Sequence, residues 1–158
     1  GNDAQNFTLD LGDKFDTSKV TNMSEMFYQT GQWGNSFTLD LGDKFDTSNV
    51  TNMSKMFYSA GYNNPYFTLD IGDKFDTSKV TNMNEMFRQT GYNARSLYVS
   101  LTIKNPNTTN YKDMFVSTAR NNSYIFVNYT TETEALVEQM IATKGSGSNV
   151  LKGSLVMK

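Results

Sequence analysis

The residues of this chain best suited to chemistry are aspartates, and they recur. Asp10, Asp40 and Asp70 stand thirty residues apart, as do Asp13, Asp43 and Asp73, and then Asp16, Asp46 and Asp76. Carboxylates can share a calcium ion through oxygen, or work in pairs on a glycosidic bond. The second use needs two carboxyls in different surroundings, one kept protonated and one ionised. A carboxylate copied into every unit has no such private environment. The spacing fits neither an EF-hand loop nor the glycine-rich calcium nonapeptide. Carboxylates stacked about 5 Å apart repel by roughly 1 kcal/mol per pair in water. Calcium would offset that. A local arrangement would also do so, with Asp16 and its equivalents accepting backbone N–H bonds and Lys14, Lys44 and Lys74 neutralising the others. The local arrangement is adopted, and no metal is assigned.

Histidine and cysteine are both absent. That removes the commonest general base, thiolate chemistry, disulfides and the usual zinc ligands. No flanking motif marks a Ser, Thr or Lys nucleophile. No catalytic residue and no cofactor are assigned, and the chain is read as a non-enzyme. A second ladder, Asn22, Asn52, Asn82 and Asn110, is expected to be buried amides bonding corner backbone.

Recognition chemistry is concentrated where the units differ. Residues 28–36, 58–66, 88–96 and 116–124 read YQTGQWGNS, YSAGYNNPY, RQTGYNARS and VSTARNNSY. These segments bring Trp33, Tyr62, Tyr66, Tyr92 and Arg95, with Asn and Gly between them, and Tyr98 follows two residues after the third. Aromatics beside adaptable polar groups are what recognition surfaces use, and loops on a rigid scaffold are where function gathers. These six, with Asp10, Asp40 and Asp70 on the strand face, form the candidate ligand-binding set. The alternative for the aromatics is that they fold back on neighbouring loops.

What positions these residues is a repeat. Phe7, Phe37 and Phe67 coincide at a period of 30, as do Met23, Met53 and Met83, and Phe27, Phe57 and Phe87. Such self-similarity marks a solenoid or propeller. Phe7, Leu9 and Leu11 alternate with Thr8 and Asp10, the period of a half-buried strand. Asp16-Thr17-Ser18 suits an Asx turn, and Val20 to Asn22 a short extended piece. Ser24 to Gln29 reads as a helical turn or two, stopped by Gly31. The fold class is therefore α/β: a right-handed, leucine-rich-repeat-like solenoid with one strand and one short helix per unit, stacked at roughly 4.8 Å. One domain covers 1–158, with units at about 7–36, 37–66 and 67–96, a degenerate copy at 97–124, and a C-terminal cap at 125–158. Terminal units drift because they must hide an outer face. In the cap, Thr131 to Glu134 matches a capping box with Thr131 as N-cap. Leu136, Val137, Met140 and Ile141 follow on one face, Gly145 closes the helix, and 150–157 returns as a strand. The N-terminal end has no such lid, so the chain reads as a piece of a longer protein.

Bulk properties trim the functions. Net charge is -2 with aromatics at 13%, and the mean hydropathy is -0.54. No basic stripe exists for phosphate backbones, and no apolar run approaches the ~20 residues that span a bilayer. Nucleic acid and membrane insertion are both excluded as expectations.

The run FDTSKVTNMSEMF at 15–27, preceded by an LDL strand and occurring three times, resembles the repeat of bacterial surface proteins and lipoproteins of Mycoplasma, Listeria and other Firmicutes, a family of unknown function akin to BspA-type leucine-rich repeats. The resemblance covers roughly 6–128, although the unit here is longer than the family's common repeat. It implies a leucine-rich-repeat-like fold, a cell-surface, extracellular location and an adhesive role. The expected function is thus a monomeric adhesion module that offers its repeat face and aromatic loops to a protein or glycan of a host or neighbouring cell. The alternative is a passive spacer, or a stalk stiffened by calcium.

Overall fold

The computed structural model describes residues 6–12 and 14–157. Six strands and one helix follow in order: β1 (Asn6–Asp10), β2 (Ser36–Asp40), β3 (Tyr66–Asp70), β4 (Tyr98–Ile103), β5 (Tyr124–Tyr129), α1 (Glu134–Ala142) and β6 (Val150–Leu155). The chain is a β-solenoid of about five turns. β1, β2 and β3 form one parallel sheet, and β4, β5 and β6 another. In the first sheet each rung is aligned on its thirty-residue counterpart: Phe7 on Phe37 on Phe67, and Asp10 on Asp40 on Asp70. Alternation therefore sends Phe37 and Leu39 into the core and leaves Thr38 and Asp40 outside.

Like side chains pile in file. Phe7, Phe37 and Phe67 stack with ring centroids 5.5 Å apart at each step. Phe27, Phe57, Phe87 and Phe115 continue a second column at 5.6, 5.2 and 6.0 Å. Parallel-stacked rings add to the stabilisation from burying their area, and neighbouring coils supply that burial for each other. Met53, Met56, Met83 and Met86 fill the space between, all buried, as flexible side chains do in an irregular gap.

The segment Ser24–Gln29 is not helical, and neither are its equivalents, so the expected short helix per unit is replaced by a turn ladder. The i, i+3, i+4 apolar spacing is real, but the backbone N–H groups go elsewhere. Met23, Glu25, Phe27 and Gln29 donate to Asn52, Ser54, Met56 and Tyr58 carbonyls of the next coil at 2.7–3.0 Å. The N–H groups between them, on Met26, Tyr28 and Thr30, close three-residue turns onto Met23, Glu25 and Phe27. Alternating the two directions demands left-handed backbone at Glu25 and Gln29, and again at Lys55, Ser59, Glu85 and Gln89. An α-helix would use every N–H within the chain segment and leave the facing coil without donors. The second extended piece shrinks to one bridge per coil, Asn22 to Asn52 to Asn82 to Asn110.

Threonines provide a buried polar column. Thr17 and Thr47 donate to the Asp46 and Asp76 carbonyls at 2.8 Å, and Thr77 to Thr102 at 2.7 Å. The Asn ladder is not buried as expected. Asn22 is exposed and Asn52 and Asn82 are half-buried, each accepting the N–H two residues on through Oδ1. It is solvated on one side because its turn lies at the rim of the coil.

At the C-terminal end the helix and final strand are present. α1 buries Val137 and Met140, and β6 pairs with β5. The capping box does not form. The N-cap is Thr133 and makes no side-chain cap bond. Its hydroxyl instead donates to the Ile103 carbonyl at 2.7 Å and accepts the Thr130 N–H at 2.8 Å, which ties the helix start to the coil beneath. The helix ends at Ala142 with right-handed Thr143 as C-cap. Gly145 is not the left-handed stop; the left-handed glycine is Gly147.

Candidate functional site

The outward strand face carries the threonine and aspartate rows. In each unit the carboxylate turns back on its own strand end: Asp10, Asp40 and Asp70 accept the N–H of Gly12, Gly42 and Gly72 at 2.7–2.9 Å. The glycines must be left-handed for this, and Gly42 sits so close under Gly12 that an added Cβ would lie 2.8 Å from its carbonyl oxygen. In the next corner the Ser18, Ser48 and Ser78 N–H groups donate to Asp16, Asp46 and Asp76 at 2.8–3.0 Å. That bond, aided by the serine hydroxyl, holds Asp16 and Asp46 below the ordinary carboxyl value. For Asp76 burial pushes upward, but the Ser78 bonds and Lys104, 3.4 Å away, outweigh it. Lys44 and Lys74 act on Asp16 and Asp46, the corner row that the sequence reading left to backbone bonds. Among the described residues, no three His, Cys, Asp or Glu side chains lie close enough to hold a metal ion; Asp13 falls outside them.

Three aromatics of the candidate set stand in water. Tyr98 is 60% exposed, Tyr66 50% and Trp33 49%. Two others are engaged. Tyr62 stacks on Tyr92 at 4.9 Å, and Arg120 lies 4.8 Å over the Tyr92 ring while also bonding its hydroxyl. This is the folding-back alternative, and it leaves Tyr62 and Tyr92 half-buried. Arg95 is exposed, with its N–H on the Pro65 carbonyl.

The structure brings part of the set together. β3 and β4 are not hydrogen-bonded neighbours, and the seam between them opens a groove of about 590 Å³. Asp40, Asp70, Tyr98, Thr38, Thr68 and Ser100 line it. Beyond the seam, Tyr98 stacks on Tyr124 at 5.7 Å and Tyr124 on Phe126 at 6.2 Å, so the outward face changes from threonine to aromatic. Trp33 is elsewhere, in a hollow of about 280 Å³ with Gln29, Gln32, Ser36, Phe37 and Asn64. Sequence reasoning did not single out Asn64, Tyr124 or Phe126. Asn64 carries a signal only in comparison, since Gly34 and Ala94 stand at the same place in the neighbouring units.

A parallel solenoid built from a copied thirty-residue coil, with polar and aromatic rows on its outer face, defines a solenoid repeat protein. The chain belongs to the family described as Mycoplasma protein of unknown function, DUF285, whose model matches residues 2–129. No curated protein and no solved structure matches it. No helix among the described residues is long and apolar enough to cross a membrane.

Proposed function

We propose that the chain is a cell-surface binding module, an extracellular adhesion element that offers its strand face and aromatic loops to a protein or glycan of a host or neighbouring cell. It works as a monomer, without catalysis or cofactor, and its kinship to BspA-type leucine-rich repeats and to Listeria surface repeats is part of the same reading. The observation that supports it most is the exposure of Tyr98 in the seam groove and of Tyr66 at the start of β3. Burying a large apolar side chain is worth about 1.5–3 kcal/mol; the inward rings of Phe37, Phe57, Phe67 and Phe87 take that gain, while Tyr66 and Tyr98 stay in water. Rings left in water beside carboxylates and hydroxyls are the usual anchors of an interface.

The test is a glycan and host-protein array probed with the chain and with Tyr98→Ala and Trp33→Ala. Binding that drops at least tenfold in a variant whose melting temperature barely moves supports the module. Silence of the array removes it. The second reading, a passive stalk, draws on the unbroken stacking of Phe27, Phe57, Phe87 and Phe115, which suits a stiff rod. Calcium stiffening predicts a melting temperature several degrees higher in millimolar calcium, reversed by chelator.

A further inference from the structure

The hollow beside Trp33 has a feature that the strand face lacks. Asn64 is 1% exposed, yet its Oδ1 has no hydrogen-bond partner among the described residues. The side chain lines the hollow. Buried polar side-chain atoms are nearly always paired, so an orphan at the wall of a cavity marks a place where something else supplies the partner. The oxygen and nitrogen of an amide are interchangeable by a half-turn, so Asn64 can present either a donor or an acceptor there.

The rest of the lining defines the occupant. Every side chain in it is uncharged, so nothing selects for an anion or a cation. Gln29, Gln32 and Ser36 add donors and acceptors around the rim, while the half-exposed Trp33 indole and Phe7 ring supply flat apolar surface. About 280 Å³ lies just below the range of roughly 300–1,000 Å³ for drug-sized ligands. A ligand that matches is compact and neutral, with hydroxyls around its edge and C–H groups on its face. We infer that this hollow is a binding pocket for a single neutral sugar ring, stacked on Trp33 and hydrogen-bonded by the Asn64 amide. The inference rests on the binding-module reading, and narrows its ligand to a glycan with an accessible neutral residue.

Trp33 is the one tryptophan of the chain, so its emission reports on this hollow alone. Glucose, galactose, mannose and N-acetylglucosamine are each titrated into the full chain while emission is followed, with calorimetry in parallel. A saturable change with at least one sugar, weakened tenfold or more by Asn64→Leu at an unchanged or raised melting temperature, is the expected result. Leu has the same branched heavy-atom shape as Asn, is somewhat larger, and has no amide to leave unpaired. If Asn64→Leu does not fold, Gln32→Ala and calorimetry on Trp33→Ala carry the same expectation of lost binding. No saturable change with any of the four sugars overturns the pocket, as does full-strength binding by the folded variants. Array binding that survives Asn64→Leu but is lost in Tyr98→Ala overturns the pocket and leaves the module intact; an array silent to every variant and to the parent removes both.

Discussion

Phe7 and Phe37 occupy the same place in successive units, in the same FTLD context, and stack on each other. Phe7 is nonetheless 47% exposed and Phe37 1%. The first coil repeats the contrast at Phe15 and Met26, which are exposed where Phe45 and Met56 are buried. Nothing in the residues differs; only the second gains a coil on both sides. Burial here belongs to the interface between coils and not to the coil, which is the nearest-neighbour energetics expected of a solenoid. Among the described residues the first coil has one such interface, the second and third two.

The comparison can be broken most directly by emptying the columns. Phe57 is fully buried between Phe27 and Phe87, so Phe57→Ala should cost about 3–5 kcal/mol in urea unfolding. Phe7→Ala removes the same atoms from a site already half in water, and should cost well under half as much. Equal losses would mean that the end coil is as tightly held as the middle.

Glycine positions give the next effect in size. Gly61 is left-handed, and an added Cβ would lie 2.1–2.6 Å from the Phe67 ring. Gly61→Ala therefore adds overpacking of about 1–3 kcal/mol to backbone strain of about 1–2 kcal/mol. Gly12, equally left-handed, meets nothing within 4 Å, so Gly12→Ala should show the strain alone. Melting temperatures of the two variants separate steric from conformational cost at equivalent φ.

A smaller change tests the polar column. Thr47 is buried; its hydroxyl donates to the Asp76 carbonyl at 2.8 Å and accepts the Asp76 N–H at 2.6 Å. Thr47→Val keeps the shape and strands both groups, at about 1–3 kcal/mol. A variant as stable as the parent in urea would show that water replaces the hydroxyl and that the column is not sealed.

The period, the strand parity and the aromatic columns were legible because each depends only on which residue returns after thirty. The turn ladder was not. Met23, Met26 and Phe27 have helical spacing, and spacing cannot say whether a backbone N–H finds its partner four residues back or one coil away. With a complete facing coil available, the distant partner wins, and Glu25 and Gln29 pay in left-handed backbone. The threonine column was hidden for a related reason: Thr17, Thr47 and Thr77 look like surface residues until a carbonyl from the next coil appears above each hydroxyl. The seam was half visible. The fourth unit is shorter, and the threonine-to-carbonyl offset falls from 29 residues at Thr47 to 25 at Thr77, where the strand ladder between β3 and β4 lapses. That gap is what sets Tyr98 beside Asp40 and Asp70, residues that sequence had grouped without a place to meet. Asn64 was missed because an amide in a variable loop looks solvated.

The mildest test sets the coils against each other by acid. Asp16, Asp46 and Asp76 are each held below the ordinary 3.8 of a free aspartate by the same backbone bond from a serine two residues on. A carboxyl whose folded value is depressed contributes stability that is complete above its unfolded value and is lost as pH falls through the folded one. The melting temperature should therefore be insensitive to these groups near neutrality and decline once pH drops below 3.8. Asp76 has Lys104 beside it and Asp16 has no ion pair of that closeness, so Asp76→Asn should flatten the acid decline more than Asp16→Asn. Salt should weaken the Lys104 contribution and leave the serine bonds in place. If Asp16→Asn flattens the decline as much as Asp76→Asn, the end coil is coupled to unfolding as strongly as the third, and the distinction drawn from Phe7 and Phe37 does not extend to the corners.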